Sequence, residues 1–427
     1  MDIRPTTDQD LGVFVDTLHA AFGRFPETPA EGGGGVWWAA LEMDRNLLAV
    51  TADGQPVGTA GAYSFELTLP GAIPVPAAGV TAVGVLPSHR RQGVLGAMMR
   101  HQLTGLRARG EFLSVLLASE ALIYRRFGYG PATYTRRLTV PRHKGDLALP
   151  RARATADAPV SGPTSGPASG TPSGTASGTA SGTIELLRRA ECGEILEEVY
   201  DRYRRAQPGA LSRPHRWWAV RAGQPPIAPA ARYVAVHRNA DGVPDGYACY
   251  SLGERDTLTV DETIAVDDAV FTALARFVLG HDLVGEVVFR HFPPEHPLRW
   301  QFADFRAGQV SDDTDWLWVR LLDVPRALTA RGWFTDGELV LDVDDPFLGE
   351  RGRYLLTVRD GKAGCVPTDR EPDLSLDVSD LGSVYLGGTA PSTLVRAGHI
   401  RAHRPGAAVL ADALFRAERP PHCLHWF

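Results

Sequence analysis

Apolar residues recur at helical spacing in "LGVFVDTLHAAF" (residues 11–22), and the pattern then changes. In "NLLAVTADGQPVGTAGAYSFEL" (46–67) two β-rich runs flank an Asp53-Gly54 turn, and "VTAVGVL" (80–86) is a further strand closed by Pro87. Helical spacing returns in "RRQGVLGAMMRHQLTGLRARG" (90–110), ended by Gly110, before the strand-like "FLSVLLAS" (112–119). The order strand, Gly-containing turn, helix, strand is that of a βαβ-like α/β unit.

Much of this order recurs further along. "LLRRAECGEILEEVYDRYRRA" (186–206) predicts a helix, "ARYVAVHRNADGVPDGYACYSLG" (231–253) two strands around a Gly-containing turn, and "DTLTVDETIAVDDAVFTALARFVLGH" (256–281) the strand-to-helix step again. The copies are separated by "SGPTSGPASGTPSGTASGTASGT" (161–183), a Ser-Gly repeat too poor in apolar surface to offset its ordering entropy. From about residue 305 the pattern becomes strand-like in "WLWVRLLDV", "GELVLDVDD", "RYLLTVRDG" and "DLSLDVSDL", then helical in "AAVLADALF", an α+β arrangement. The expected domains are 1–150, a flexible linker 151–183, 184–304 and 305–427.

Composition narrows the class. With 427 residues, 44% hydrophobic and 22% charged, the chain can bury several cores. A net charge of −6 offers no basic face for nucleic acid. No apolar run of about 18 residues and no signal-like N-terminus is present, so cytoplasmic is the expected location, without membrane association. Four cysteines (Cys192, Cys249, Cys365, Cys423) without CxxC spacing point to free thiols and no structural metal.

The chemistry-bearing turn is "GVLPSHRRQGVLGAMM" (84–99). A helix starting near Gly93 leaves the amides of Arg91 through Gly96 without intrahelical acceptors, which makes an anion site. Glycine at 93 permits close approach of a phosphate, and Arg90 and Arg91 add positive charge. The competing reading is an exposed helix start with a packing glycine. In the second copy the equivalent stretch is "AVDDAVFTAL", where Asp267 and Asp268 satisfy the helix dipole themselves and would repel pyrophosphate.

The run "VTAVGVLPSHRRQGVLGAMM" resembles the acetyl-CoA signature of the GNAT N-acetyltransferases, with Leu95 where a Gly or Ala is usual and Gly96 one place later. "ASEALIYRRFGYGPAT" (118–133), the degenerate second copy, the carrier-like third domain and the terminal Phe427 extend the likeness over nearly the whole chain, which is similar to the Eis (enhanced intracellular survival) acetyltransferase family. The Ser-Gly linker is not part of that pattern. The resemblance implies tandem GNAT folds, the first active and the second degenerate, followed by a sterol-carrier-protein-like α+β domain. It also implies acetyl-CoA as co-substrate, direct transfer to a small amine, and a homohexamer.

On that resemblance Val83, Gly84 and Val85 hold the pantetheine, with the Val85 amide polarising the carbonyl. Arg91, Gln92, Gly93, Val94, Leu95 and Gly96 hold the pyrophosphate, and Ser119 and Glu120 meet the cofactor further along. Tyr124 is the expected proton donor, its alternative a core tyrosine beside Phe127 and Tyr129. The α-carboxylate of Phe427 is the expected proton acceptor, against three alternatives: a tail that only packs, His425 or His422 as base, or a metal held by His422, Cys423 and His425. Phe22, Phe25, Trp37, Trp38 and Trp426 are candidate walls of an amine pocket. Aminoglycoside-accepting relatives carry an acidic group next to the chain end, so Trp426 weighs toward other small amines. Protein lysine or an arylalkylamine is the second enzymatic reading, and a hydrophobe- or lipid-binding protein using the carrier-like domain is the non-enzymatic one.

Overall fold

In the computed structural model the described residues are 1–23, 40–148, 182–188, 192–215, 217–218, 232–253 and 256–427. Phe25, Trp37, Trp38 and linker residues 151–181 lie outside them.

The first unit contributes strands β1 (Asp2–Pro5), β2 (Leu47–Val50), β3 (Pro56–Leu69), β4 (Ile73–Val85), β5 (Leu113–Leu117) and β6 (Gly130–Pro131), with helices α1 (Leu11–Ala21) and α2 (Val94–Ala108). Gly54 takes φ +85 in the turn between β2 and β3, as the Asp-Gly pair predicts. All pairings in this sheet are antiparallel except β4 with β5, which run parallel and meet only at Ala78↔Ser114 and Gly79↔Val115. Strand β7 (Tyr134–Pro141) leaves this sheet and joins the second one.

The second unit holds β8 (Gly182–Arg188), α3 (Gly193–Ala206), β9 (Arg232–Asn239), β10 (Pro244–Leu252), β11 (Thr257–Ala265), α4 (Asp268–Leu279), β12 (Glu286–Phe292) and β13 (Gln309–Asp315). Its sheet order is β13-β7-β12-β11-β10-β9-β8. The β10-β11 hairpin, α4 and the parallel β12 repeat the β3-β4, α2, β5 arrangement, so the internal duplication read from the sequence is present. Two expectations change. Leu186–Arg188 are strand, not helix, because backbone pairing along the edge of β9 overrides their helical pattern. Gly182 and Thr183, assigned above to the linker, open that strand, and a Cβ at Gly182 would lie 2.2 Å from the Arg238 carbonyl oxygen.

Strand β14 (Leu317–Leu321) returns to the first sheet and inserts between β5 and β6. Residues 309–321, grouped above with the third domain, therefore complete the first two sheets, since their backbone groups pair there. The third unit is the sheet β17-β16-β15-β18-β19, made of β15 (Gly337–Asp345), β16 (Glu350–Arg359), β17 (Lys362–Pro367), β18 (Leu374–Asp377) and β19 (Arg401–Ala402). Helices α5 (Val378–Tyr385) and α6 (Ala407–Phe415) cover it. The run "DLSLDVSDL" is thus half strand and half helix, the change falling at Asp377, whose side chain caps α5 by accepting from the Ser379 amide. One apolar core joins third-unit residues such as Leu341, Leu381 and Phe415 to Tyr63, Phe65 and Phe427 on the first sheet.

Candidate active site

The cleft follows from a fault in the first sheet. Pairing of β3 with β4 slips by one residue between Thr59↔Gly84 and Gly61↔Thr81, leaving an extra residue in β4. That bulge sits at Ala82, a non-glycine residue at φ +50 whose carbonyl accepts a hydrogen bond from the Thr59 hydroxyl at 2.8 Å. Beyond Gly79 strand β4 has no pairing with β5, so the two splay and Val80–Val85 face a gap. The base of the splay is pinned. Ser114 contacts the Ala78 carbonyl at 3.3 Å and the Tyr129 hydroxyl at 2.7 Å.

Below the open end of β4 the chain turns through Arg91 at φ +62 and Gly93 at φ +84 into α2. The first amide of this helix bonded within it is that of Ala97, which donates to the Gly93 carbonyl, so those of Val94, Leu95 and Gly96 point out of the helix N-terminus. A Cβ at either Gly93 or Gly96 would meet no atom within 4 Å. The glycines face open space, and at Gly93 the left-handed backbone also requires one.

A cleft of about 840 Å³ runs from this turn along the splay. It is lined by Val83, Gly84, Val85, Arg91, Gly93, Val94, Leu95, Gly96, Ser119, Glu120 and Tyr124, so the structure brings together all but one of the expected cofactor residues and the expected acid. Gln92 is the exception: its side chain turns back to donate to the Ser88 carbonyl. Arg90 lines the cleft too, but its guanidinium donates to the Ala21 and Val85 carbonyls and ties α1 to the end of β4. Phe22, an expected pocket wall, is exposed at the same cleft.

Tyr124 ends a helical turn, Ala121–Tyr124, and is 7% exposed. Burial raises its phenol above the ordinary range near 10, Glu120 adds to the rise, and a hydrogen bond with Ser119 opposes it. Tyr129 packs edge-on to it at 6.3 Å and is spent on Ser114. Of the two tyrosines, Tyr124 is the one that lines the cleft.

The chain end arrives on the other face of the sheet. Ala78 and Val80 share a core with Tyr124, whereas Tyr63, Phe65 and Ala77 share one with Phe427. The Phe427 ring is 4.9 Å from that of Phe65, and its edge would lie 3.2 Å from a Cβ on Gly79, where β4 and β5 part. His425 is buried edge-on against Phe65 and Trp217. His422 is also buried, with neither ring nitrogen hydrogen-bonded among the described residues, and burial lowers its imidazole to about 3. Trp426 is not at this cleft: it lines a separate cavity of about 330 Å³ with Trp218, Tyr247, Glu262, His291 and Trp316, because alternate residues of the extended tail face opposite ways. Among the described residues no cluster of His, Cys, Asp or Glu suits a metal ion.

Sequence reasoning missed Phe347. It lies between β15 and β16, yet lines the first unit's cleft and stacks edge-on with Phe127 at 4.9 Å. Nothing local marks it, since its role exists only through the docking of the third unit. At the equivalent place in the second unit, Asp267 caps α4 by accepting from the Val270 amide, and Asp268 pairs with Arg419 at 3.0 Å. That helix start is already occupied by carboxylates.

A splayed parallel strand pair beside a bare helix N-terminus, in a fold that recurs once with its helix start capped and is followed by an α+β sheet, defines a tandem GNAT acyltransferase with a carrier-like third domain. Residues 2–132 match the acetyltransferase (GNAT) domain, 209–321 a second acetyltransferase (GNAT) domain, and 324–424 the sterol carrier protein domain. The chain is 34% identical to an uncharacterized N-acetyltransferase of Streptomyces griseus, covering 99% of each. It is 32% identical to N-acetyltransferase Eis of Mycobacterium tuberculosis, over 97% of this chain and 96% of that one. Eis1 of Mycobacterium abscessus superposes with a TM-score of 0.82 at 32% identity, over 100% of both chains. The chain belongs to the Eis family of N-acetyltransferases.

Proposed function

We propose that this N-acetyltransferase uses acetyl-CoA and passes the acetyl group directly to a small amine, with Tyr124 as proton donor and the Phe427 carboxylate as proton acceptor. The observation that carries the reading is the cleft, in which the helix N-terminus, the open β4 edge and a protonated Tyr124 share one wall. The residues fit the co-substrate. Arg91 and the free amides of Val94, Leu95 and Gly96 suit its pyrophosphate, and the open edge at Val83–Val85 suits an amide-bearing pantetheine arm. Bound there, acetyl-CoA supplies a thioester as acetyl donor.

The Val85 amide, on the strand edge left open beyond the bulge, hydrogen-bonds the thioester oxygen. Tyr124, protonated at neutral pH, gives its phenolic proton to the leaving sulfur. The Phe427 carboxylate, anchored by the ring packing on Phe65, takes a proton from the substrate ammonium, and the neutral amine so formed attacks the thioester carbonyl. Tyr124 and the Phe427 ring pack on opposite faces of the sheet near the point where β4 and β5 part, which supports an acid and a base acting from two sides. No cysteine lines the cleft, which favours direct transfer over an acyl-enzyme.

The lipid-binding reading is disfavoured by the third domain's core, where Trp333, Tyr385, Phe415 and a buried Arg331 fill the interior, the guanidinium donating to the Tyr385 and Phe415 carbonyls. A homohexamer is a part of the proposal that follows from the family resemblance, and a cytosolic location one that follows from the reading of the sequence. The decisive test is addition of one residue after Phe427. It moves the carboxylate while leaving the ring in place, and the expected result is loss of thiol release from acetyl-CoA across an amine panel with little change in melting temperature. Full activity of the extended enzyme would return the tail to packing.

A further inference from the structure

The turn that carries Tyr124 is held from outside its own domain. After Tyr124 the chain makes a second tight turn, Arg125–Phe127, closed by Gly128 at φ +82. Arg125 forms an ion pair with Asp380 on α5 of the third domain and approaches His399 Nδ1 at 2.8 Å. At the other end of the turn the fully buried Arg320 donates one nitrogen to the Phe127 carbonyl and another to Asp345 of the third domain at 2.5 Å. The backbone has been cleared for this grip. A Cβ at Gly128 would collide with the Arg320 guanidinium, and one at Gly130 would lie 1.9 Å from the Ser379 carbonyl oxygen.

We infer that the third domain is the positioning element for the acid: the Arg125–Asp380 and Arg320–Asp345 pairs fix Tyr124 in the cleft, so a domain with a carrier's fold sets the geometry of proton delivery. This rests on Tyr124 being the proton donor. Two links with charged partners at either end of a three-residue turn exceed what packing requires, since the rings of Phe127 and Tyr129 already bury it. Asp380 sharpens the argument. Its burial outweighs the attraction of Arg125 and His399 and holds its carboxyl above the ordinary range, so the ionised carboxylate is buried at a cost that the pairing offsets only in part. A contact kept against stability is expected where function needs a fixed geometry.

The test is a double-mutant cycle on the full chain. Arg125→Gln should lower kcat by about tenfold or more, as misplacement of a catalytic group does, while KM for acetyl-CoA stays within about twofold. In a Tyr124→Phe background the same substitution should change kcat by less than about twofold, because the group being positioned is gone. Asp380→Asn, which removes the charge but keeps the shape, should give the same pattern with unchanged or raised melting temperature, and serves where Arg125→Gln fails to fold. Equal losses in both backgrounds, or no loss in the parent, overturn the inference while leaving Tyr124 as acid. A fully active Tyr124→Phe enzyme overturns the acid assignment itself, and this inference with it.

Discussion

Gly93 and Gly96 make opposite predictions for stability and the same prediction for binding, which separates backbone strain from ligand space. Gly93 sits at φ +84, ψ −4, and a Cβ there meets no neighbour, so Gly93→Ala costs only the left-handed backbone penalty, about 1–2 kcal/mol. Gly96 lies within α2 in ordinary helical conformation, also with open space above it, so Gly96→Ala should stabilise the helix by about 0.5–1 kcal/mol. Both substitutions put a methyl group where the co-substrate would lie over the helix start. A chain of three domains has no single unfolding free energy, so the effect on the fold is best read from hydrogen exchange of the α2 amides. Exchange should quicken in Gly93→Ala by about 5–30-fold, the factor corresponding to 1–2 kcal/mol, and slow in Gly96→Ala. Calorimetric titration should find acetyl-CoA bound more weakly by both. A Gly96→Ala protein that binds acetyl-CoA like the parent would refute the placement of the co-substrate over the first turn of α2. Unchanged exchange in Gly93→Ala would refute the strain argument.

Two further outcomes are expected. Tyr129→Phe should cost about 0.5–1.5 kcal/mol through loss of its bond to Ser114, and leave the pH profile of kcat unmoved, which would distinguish it from Tyr124→Phe. Burial lowers the imidazoles of His422 and His296 to about 3 and that of His291 to about 4, below the ordinary value of about 6.5, so the unfolded chain takes up these protons first as pH falls. Stability should decline from about pH 6.5 toward 3, and urea melts of His422→Asn at several pH values should show a shallower decline than the parent.

The turn into α2 was legible because its geometry is local: a strand end, a glycine where φ must be positive and a helix start lie within a dozen residues. The degenerate copy was legible for the same reason, since Asp267 announces its own capping bond. What the sequence hid is what long-range pairing decides. Leu186–Arg188 carry a helical pattern and became a strand because β9 offered an edge. Nothing in "WLWVRLLDV" says which of three sheets it joins, and Phe347 is an unremarkable loop aromatic until the third domain docks. The tail illustrates both cases. Its anchoring ring was legible, while the rotation that sends Trp426 to another cavity was set by the surface it lies on.

Strand β14 lies between β5 and β6, although about two hundred residues of chain separate it from them. During synthesis the first GNAT domain cannot close its sheet when residue 132 emerges, because the strand that pairs Leu113–Leu117 is not made until residue 321. A fragment ending at residue 132 would present β5 with a bare edge, a template for pairing with another chain. The first GNAT domain therefore matures late, after the second has been translated, and order of synthesis and order of completion run in opposite directions along this polypeptide.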